Sequence, residues 1–480
     1  MEQTGKPVAR AVLVGVQLHG VSDDTHQRDL DELERLVTTL GYKVVGRIAQ
    51  KKRSIDGGLV LGEGRLMELA ALTGGTGKVP KKGRGRRRGG AEDEGDEPED
   101  DVELSVVGED DDEDDWSLPP PARTDREAEV VVVNHELTPM QMRNLAAATS
   151  AEVLDRTGVI VEIFHRHASS PEAKLQVELA RLKYVSPRFT ASGGGFDRAG
   201  AGIGAKGSGE SKIELDRRRV RDRVAEINRQ LHELEAKVSV RRKRRQDALR
   251  CALVGYTNAG KSSWMRALTG SGVLVEDKLF ATLDTTVRAL VPETRPRILV
   301  SDTVGFIQRL PHDLVASFRS TLDEALEASL LVHVVDGSDP AWPDQERVTR
   351  TVLDEIGAHD IPTLMLFNKA DKIDAQARVV IDRFRHVGMV VSAHDPADVQ
   401  RVRAAIVDRL LGAMPEATLV VPYDRQHVIG AIREETNVLD EVFGDEGVSY
   451  RVRAAAHVID RLRARIDPTW RPHDPDDDEA

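Results

Sequence analysis

The stretch "ALRCALVGYTNAGKSSWMRAL", residues 248 to 268, decides the fold. Its opening apolar run predicts a buried strand and its close has the apolar spacing of a helix. Between them stand Gly255, then Tyr256, Thr257, Asn258 and Ala259, then Gly260-Lys261-Ser262. That is G-x-x-x-x-G-K-[ST] in the strand-loop-helix setting it needs. The glycines let consecutive backbone N–H groups turn inward around a β-phosphate, Lys261 bridges β- and γ-oxygens, and the Ser262 hydroxyl ligates Mg²⁺.

Three later strand ends extend the pattern. "RILVSDTVGF" ends in Asp302-Thr303-Val304-Gly305: the carboxylate suits Mg²⁺ held through water, and the glycine N–H suits a γ-phosphate. "PTLMLFNKAD" ends in Asn368-Lys369-x-Asp371. A carboxylate there accepts the two N–H donors of guanine, a pattern adenine does not offer, while the lysine stem covers the ring. "GMVVSAH" ends in Ser392-Ala393-His394, suited to closing over the base. Motifs in this order predict a GTP-hydrolysing domain with Lys261 and Gly305 at the reacting phosphate. A threonine for Mg²⁺ and the γ-phosphate is expected in "DKLFATLDTTVRAL", where Thr282, Thr285 and Thr286 all qualify and spacing does not choose. Just after Gly305, where many GTPases carry a water-orienting glutamine, stands Phe306. A phenyl ring orients no water, so hydrolysis is expected to be slow until a partner or the switch backbone positions the nucleophile; a second reading, not exclusive of the first, is that Phe306 packs under the switch and another side chain serves.

A second glycine-rich stretch, "GIGAKGSGES" (202–211), contains G-x-G-x-x-G but follows no strand. It therefore lacks the context of a dinucleotide fingerprint.

With 480 residues the chain predicts several domains. No apolar run is long enough to span a bilayer and no signal pattern opens the chain, so a cytoplasmic protein is expected. The single cysteine, Cys251, excludes an intramolecular disulfide and Cys-based metal sites, and its apolar setting places it in a core. The net charge of −13 is uneven: residues 78–116 hold seven basic and sixteen acidic side chains, and the tail from Asp474 to Glu479 adds −5. Residues 210–250 hold fourteen basic and eight acidic side chains, so a polyanionic partner is not excluded by the overall sign.

Upstream, "AVLVGVQ", "KVVGRIAQ" and "EVVVVNHEL" read as strands, alternating with helices at "HQRDLDELERLVTTLGY", "GEGRLMELAAL" and "TPMQMRNLAAAT", the last with Thr138 as N-cap and Pro139 in its first turn. Residues 74–125 interrupt this unit with a basic, then an acidic, stretch and read as a disordered insertion. From Pro171, Leu175, Leu179 and Leu182, then Val220, Val224, Ile227, Leu231, Leu234 and Val238, carry a heptad seam. Two such helices predict an antiparallel hairpin with a glycine-rich tip at 186–209, carried about 45 Å by a helix of roughly 30 residues. The C-terminal segment from Thr418 reads as strand-helix-strand. His165 and His167, two apart on a helix, share no face and make a poor metal site. The run Arg241 to Arg245 is either an RNA contact or a solvated linker. The fold expected is multidomain α/β: an N-terminal α/β subdomain (1–170), the hairpin (171–248), a P-loop GTPase domain with a mainly parallel sheet (249–412), a small C-terminal α/β domain (413–470) and an acidic tail (471–480).

The chain resembles the HflX family of ribosome-associated GTPases. The resemblance is carried by "VLDRTGVIVEIFHRHASSPEAKLQVELARLKYVSPR", "GSGESKIELDRRR", "GYTNAGKSS", "LFATLDTT" and "DTVGFIQRLPHDLVASFRSTLDEALEASLLVHVVDGSDP". It implies the same four parts, binding to the large ribosomal subunit and its rRNA, dissociation of ribosomes under stress, and hydrolysis stimulated by the subunit. In "FATLD" it implies nucleotide contacts from Phe280, Ala281, Thr282, Leu283 and Asp284, with Thr282 as the switch threonine at the reacting phosphate and, with Ser262 and Asp302, a Mg²⁺ ligand. At Phe306 it implies a hydrophobic residue. It gives the glycine-rich tip a role among RNA backbones, with Lys206, Lys212 and Arg217 to Arg219 near phosphates, and a monomer is expected. The chain departs from the family at Gly207-Ser208-Gly209-Glu210, where G-P-G-E is usual, at Ser263-Trp264, where Thr-Leu is usual, and in the charged insertion. Two other readings differ in class: a GTP-gated rRNA-binding or subunit-assembly factor, and an ATP-driven RNA remodeller, the latter opposed by Asn368 and Asp371.

Overall fold

The computed structural model describes residues 8–55, 57–79, 128–192, 208–243, 249–270, 279–280, 286–308, 324–384 and 386–470. The chain forms two compact units, Met1–Val159 and Ile160–Ala480.

The first unit runs β1 (Arg10–Leu18), α1 (Asp23–Thr39), β2 (Lys43–Lys52), α2 (Glu63–Thr73), β3 (Val130–Val133), α3 (Pro139–Thr149) and β4 (Glu152–Asp155), and then enters α4 (Arg156–His167). Its four strands are parallel in the order β2-β1-β3-β4. The valine-rich β1 and β3 are buried along nearly their whole length, as strands covered on both faces must be. Ser22 caps α1 by accepting from the Thr25 N–H at 3.2 Å. Leu30, Leu33, Leu36 and Val37 form the buried stripe of that helix. At α3 the expected cap is a reciprocal box: Thr138 Oγ1 accepts from the Gln141 N–H at 3.2 Å, and Gln141 Oε1 from the Thr138 N–H at 2.9 Å. Two features went unread. Strand β4 has only four residues, too few to show alternation. Residues 74–79, assigned above to the insertion, belong to the folded body: Gly74 closes α2 at φ 77°, and the Gly77 N–H donates to Ala148 O at 2.9 Å. In sequence this stretch reads as low complexity, whereas Gly74 serves as a helix stop. Residues 80–125 and the tail 471–480 lie outside the described residues.

In the second unit, α5 (Pro171–Ser192) packs with α6 (Ser208–Lys243), a helix of 36 residues and so about 54 Å long. Ile227 and Leu179 are buried in the seam, while Val220, Val224, Leu231 and Leu234 are half-buried, as expected of a two-helix pairing. Arg223 forks onto Glu178 at 2.7 and 2.8 Å. The two lie at matching distances from the connection, as an antiparallel pair requires. Both helices run into the stretch expected to be the tip; residues 193–207, with Lys206, lie outside the described residues, as do Arg244 and Arg245.

The GTPase part runs β5 (Leu249–Val254), α7 (Lys261–Thr269), β6 (Thr286–Ala289), β7 (Ile298–Asp302), β8 (Leu330–Asp336), α8 (Trp342–Glu355), β9 (Thr363–Asn368), α9 (Ala375–Asp382), β10 (Gly388–Val390) and α10 (Pro396–Gly412). The strand order is β10-β9-β8-β5-β7-β6, parallel except for β6 against β7. Cys251 and Trp264 are fully buried in its core. Burial pushes the Cys251 thiol up to about 12, and Trp264, a departure from the family pattern, is a core side chain.

The C-terminal part holds β11 (Glu416–Pro422), α11 (His427–Glu435), β12 (Asn437–Phe443), β13 (Gly447–Arg453) and α12 (Ala456–Ile466), with an antiparallel sheet β11-β13-β12. The expected strand-helix-strand is thus strand-helix-strand-strand-helix. The hairpin turns through 444–446 and enters β13 at Gly447, where a Cβ would fall 2.2 Å from Val421 O.

Candidate nucleotide-binding site

Parallel strands end together, so the four motifs converge at one edge of the sheet. Strand β5 stops at Val254, and the chain turns at Gly255 (φ 144°), where a Cβ would fall 2.2 Å from Val334 O. Asn258 (φ 61°) and Gly260 (φ 100°) take left-handed conformations, and a Cβ on Gly260 would fall 2.2 Å from Asn368 Nδ2. This tight loop opens α7, whose N-terminal N–H groups and dipole favour an anion. Lys261, the first residue of α7, donates from Nζ to Gly255 O at 3.0 Å and Tyr256 O at 2.8 Å. Burial pulls its ammonium down to about 8, opposed by the Asp302 carboxylate. Ser262 Oγ donates to Asp302 Oδ2 at 3.0 Å. A hydroxyl and a carboxylate, hard oxygen donors at the mouth of the loop with Asp302 only 1% exposed, fit Mg²⁺.

The second motif is sewn to the loop. The Thr257 N–H donates to Phe306 O at 2.7 Å, the Phe306 N–H to Gly255 O at 3.1 Å, and the Gln308 N–H to the Tyr256 hydroxyl at 2.8 Å. Thr303 Oγ1 donates to Leu253 O at 2.7 Å, and Val304 is buried. Gly305 lies so close that a Cβ there would be 2.9 Å from Lys261 Nζ and from Thr257. The Phe306 ring, 3% exposed, packs with Ala252, Val254, Ala325 and Leu331. The ring therefore packs in the core, which is compatible with both readings of this position.

At the base-reading end, Asn368 Nδ2 donates to Ala259 O at 2.8 Å, and its Oδ1 accepts from the Ala393 N–H at 3.2 Å. This asparagine therefore ties the phosphate loop to the last motif. Asp371, exposed, accepts from Ser392 Oγ at 2.6 Å, and this bond holds its carboxyl below the usual carboxylate range. The His394 N–H donates to Ser392 Oγ at 3.3 Å. Lys369, at φ 60°, ion-pairs with Asp336 at 2.7 Å. Sequence reasoning passed over Asp336, although it closes "LLVHVVD" and stands in register with Asn368.

Ala281, Thr282, Leu283, Asp284 and Thr285 lie outside the described residues; Thr286 opens β6. Phe280, expected beside the nucleotide, is 2% exposed, with its ring edge-on to Phe164 of α4 at 4.6 Å. His165 and His167 lie on α4, and His167 Nδ1 is 2.8 Å from Ile163 O. Among the described residues no group of three His, Cys, Asp or Glu is placed to hold a metal, and no helix is long and apolar enough to cross a membrane.

Three family profiles match the chain: "GTP-binding GTPase N-terminal" over 27–78 and 121–165, "GTP-binding GTPase Middle Region" over 167–245, and "50S ribosome-binding GTPase" over 250–369. The chain is 53% identical over 470 residues to the GTPase HflX of Gluconacetobacter diazotrophicus, covering 97% of this chain and 99% of the relative. It is 34% identical over 417 residues to the GTPase HflX of Escherichia coli, covering 86% and 85%. A GTP-binding protein from Sulfolobus solfataricus, solved in complex with GDP, aligns over 84% of this chain and 99% of its own at 22% identity and a TM-score of 0.42. On the strength of its near full-length relatives, the chain belongs to the HflX family of GTPases.

Proposed function

We propose that this GTPase is Mg²⁺-dependent, acts in the cytoplasm as a monomer, binds the large ribosomal subunit in its GTP state and dissociates ribosomes under stress, with hydrolysis stimulated by the subunit. The observation that carries this reading is Phe306: with its ring in the core, the position after Gly305 offers the γ-phosphate no water-orienting group. A bound partner then supplies or arranges what this position omits.

In this reading the backbone from Gly255 to Gly260 cradles the β-phosphate. Lys261 exchanges its two carbonyl partners for β- and γ-oxygens, a stronger pairing because it joins charges. Ser262, with Asp302 through water and Thr282, would hold Mg²⁺, whose charge offsets that of the β- and γ-oxygens. The Gly305 N–H meets the γ-phosphate. Asn368 braces the loop, Lys369 covers the guanine face, and Asp371 accepts its two edge donors. The ribosomal partner is supported by the profile described as "50S ribosome-binding GTPase" and by the exposed Arg217, Arg218, Arg219 and Arg221 on α6, cations suited to rRNA phosphates. Phe280 against Phe164 gives the switch a packed contact with the helix that precedes the hairpin, a route by which γ-phosphate binding alters the hairpin's setting. The four domains follow the boundaries drawn above, with residues 74–79 returned to the first.

The test is GTP turnover alone and with purified large subunits, beside sedimentation of whole ribosomes, with Lys261→Ala as control. Strong stimulation and GTP-dependent separation of subunits, both absent from the control, are expected. Rapid turnover indifferent to subunits would defeat the reading. GTP-dependent binding without separation would leave the assembly-factor alternative.

A further inference from the structure

We propose that Asp336 is a positioning residue for nucleotide recognition: it anchors the Lys369 ammonium so that the lysine stem is already laid out where the base must stack. The inference rests on reading Asn368-Lys369-x-Asp371 as the guanine pocket.

The anchor is built rather than incidental. Strand β8 ends at Asp336 directly opposite Asn368 of β9, so the sheet sets the spacing between carboxylate and lysine. One carboxylate oxygen is occupied by the next turn, accepting from the Ser338 N–H at 3.0 Å and from Ser338 Oγ at 2.6 Å. That leaves Oδ2 aimed at Lys369 Nζ, 2.7 Å away. Gly337, the next residue, donates to Asn368 O at 3.0 Å, and a Cβ there would sit tightly, 2.8 Å from the end of the Ile373 side chain and 3.2 Å from Asn368 O. The two side chains are 21% and 15% exposed, so solvent screens this pair less than a surface ion pair. The lysine starts from a left-handed backbone, which sends its stem along one path, and Asp336 pins the far end.

A lysine stem has several rotatable bonds, and ordering it at the moment of binding opposes affinity. A tether made beforehand removes that cost. It acts on stacking, which every purine face offers, and not on the edge donors that Asp371 reads. Loss of the tether should therefore weaken all purine nucleotides by one factor, whereas loss of Asp371 changes the preference among them.

The experiment measures dissociation constants and off-rates of fluorescent GDP and GTP, with xanthosine and inosine triphosphates as competitors, for wild type, Asp336→Asn, Lys369→Met and the double variant. Thermal unfolding of each reports that it folds. Asp336→Asn should weaken every nucleotide roughly tenfold, mostly through the off-rate, and raise KM with kcat unchanged. In the Lys369→Met background the same substitution should do nothing further. If Lys369→Met itself leaves binding intact, the pocket reading fails. If Lys369→Met weakens binding but Asp336→Asn does not, or if Asp336→Asn keeps its full effect without the lysine or shifts the preference among bases, the anchor role fails while the pocket stands.

Discussion

The chain holds two α/β sheets, one parallel and one parallel but for β6, whose carboxyl ends are finished differently. In the first unit the charged groups at the strand ends pair with neighbouring protein groups, although Asn134 Nδ2 is buried without a hydrogen-bond partner among the described residues. Asp155 accepts from the Leu137 N–H at 3.2 Å and the Gly158 N–H at 2.8 Å, and Arg156 donates to Asn134 Oδ1 at 3.2 Å and pairs with Glu32. In the GTPase sheet the corresponding ends are loops of left-handed residues, with a lysine resting on two carbonyls and a carboxylate shared with one hydroxyl. Topology does not separate the two, since both are wound sheets with strands crossing past β1 or β5. The difference lies in side chains and in three or four backbone angles. Charged groups that find full-strength partners become structure, or are held in place for a ligand as Asp336 holds Lys369, and those resting on weaker partners, like Lys261 on two carbonyls, can exchange them for a ligand.

The comparison breaks first at Lys261. Replacing it with alanine should cut GTP turnover by about 10³-fold, measured under single-turnover conditions, because no other cation lies in the loop to replace it. A residual rate near wild type would mean the loop is not the chemical site.

The opposite substitution tests the first sheet. Arg156→Ala removes the cation paired with Glu32, 12% exposed, beside a strand end and should lower stability by about 3 kcal/mol in thermal or denaturant unfolding. Affinity for GTP should not change. A loss of nucleotide binding at undiminished stability would erase the contrast between the two ends.

Asp371→Asn sharpens the ligand-facing side. The amide presents a donor to the guanine edge, so GTP should weaken roughly 100-fold relative to xanthosine triphosphate in competition binding. An unchanged ratio would remove Asp371 from base reading.

Phe306 belongs with the packed groups although it stands among functional ones. Phe306→Leu should cost about 1 kcal/mol of stability and leave turnover in the absence of ribosomes where it was. A substantial change in rate would put the ring in the reaction after all.

The smallest effect is a proton. With the Lys261 ammonium near 8 through burial, phosphate oxygens beside it must raise that value. GTP binding at pH 8.5 should then take up part of a proton, and affinity should fall as pH rises through about 8. Binding heats in buffers of different ionisation enthalpy measure this, and proton release would reverse the sign.

Much of the site was readable in advance because each motif is local. Gly255 to Ser262, Asp302 to Gly305 and Asn368 to Asp371 each hold fixed spacing at the end of an apolar strand, and a strand end is visible as the point where an apolar run meets glycine or a polar residue. What crosses the sheet was not readable. Asp336 lies 33 residues from Lys369 and reads in sequence only as the last residue of a buried strand. Asn368 looked like a base contact, and its bonds to Ala259 O and the Ala393 N–H also make it a brace. The motif "FATLD" places Phe280 near the nucleotide, and only the fold shows that its ring also meets Phe164. Gly74 and Gly77 were lost in a stretch of biased composition because one glycine in a helix stop looks like any other.

The sequence by itself determined the fold class, the phosphate loop, the order of the nucleotide motifs and the hairpin seam, because all of these are periodicities or fixed spacings along the chain. Only the tertiary structure decided that Phe306 is core, that Asp336 anchors Lys369 and that Gly305 rests on Lys261. Those are distances between segments, set by strand register and packing, and a linear chain carries no record of which far residue will stand within 3 Å of another.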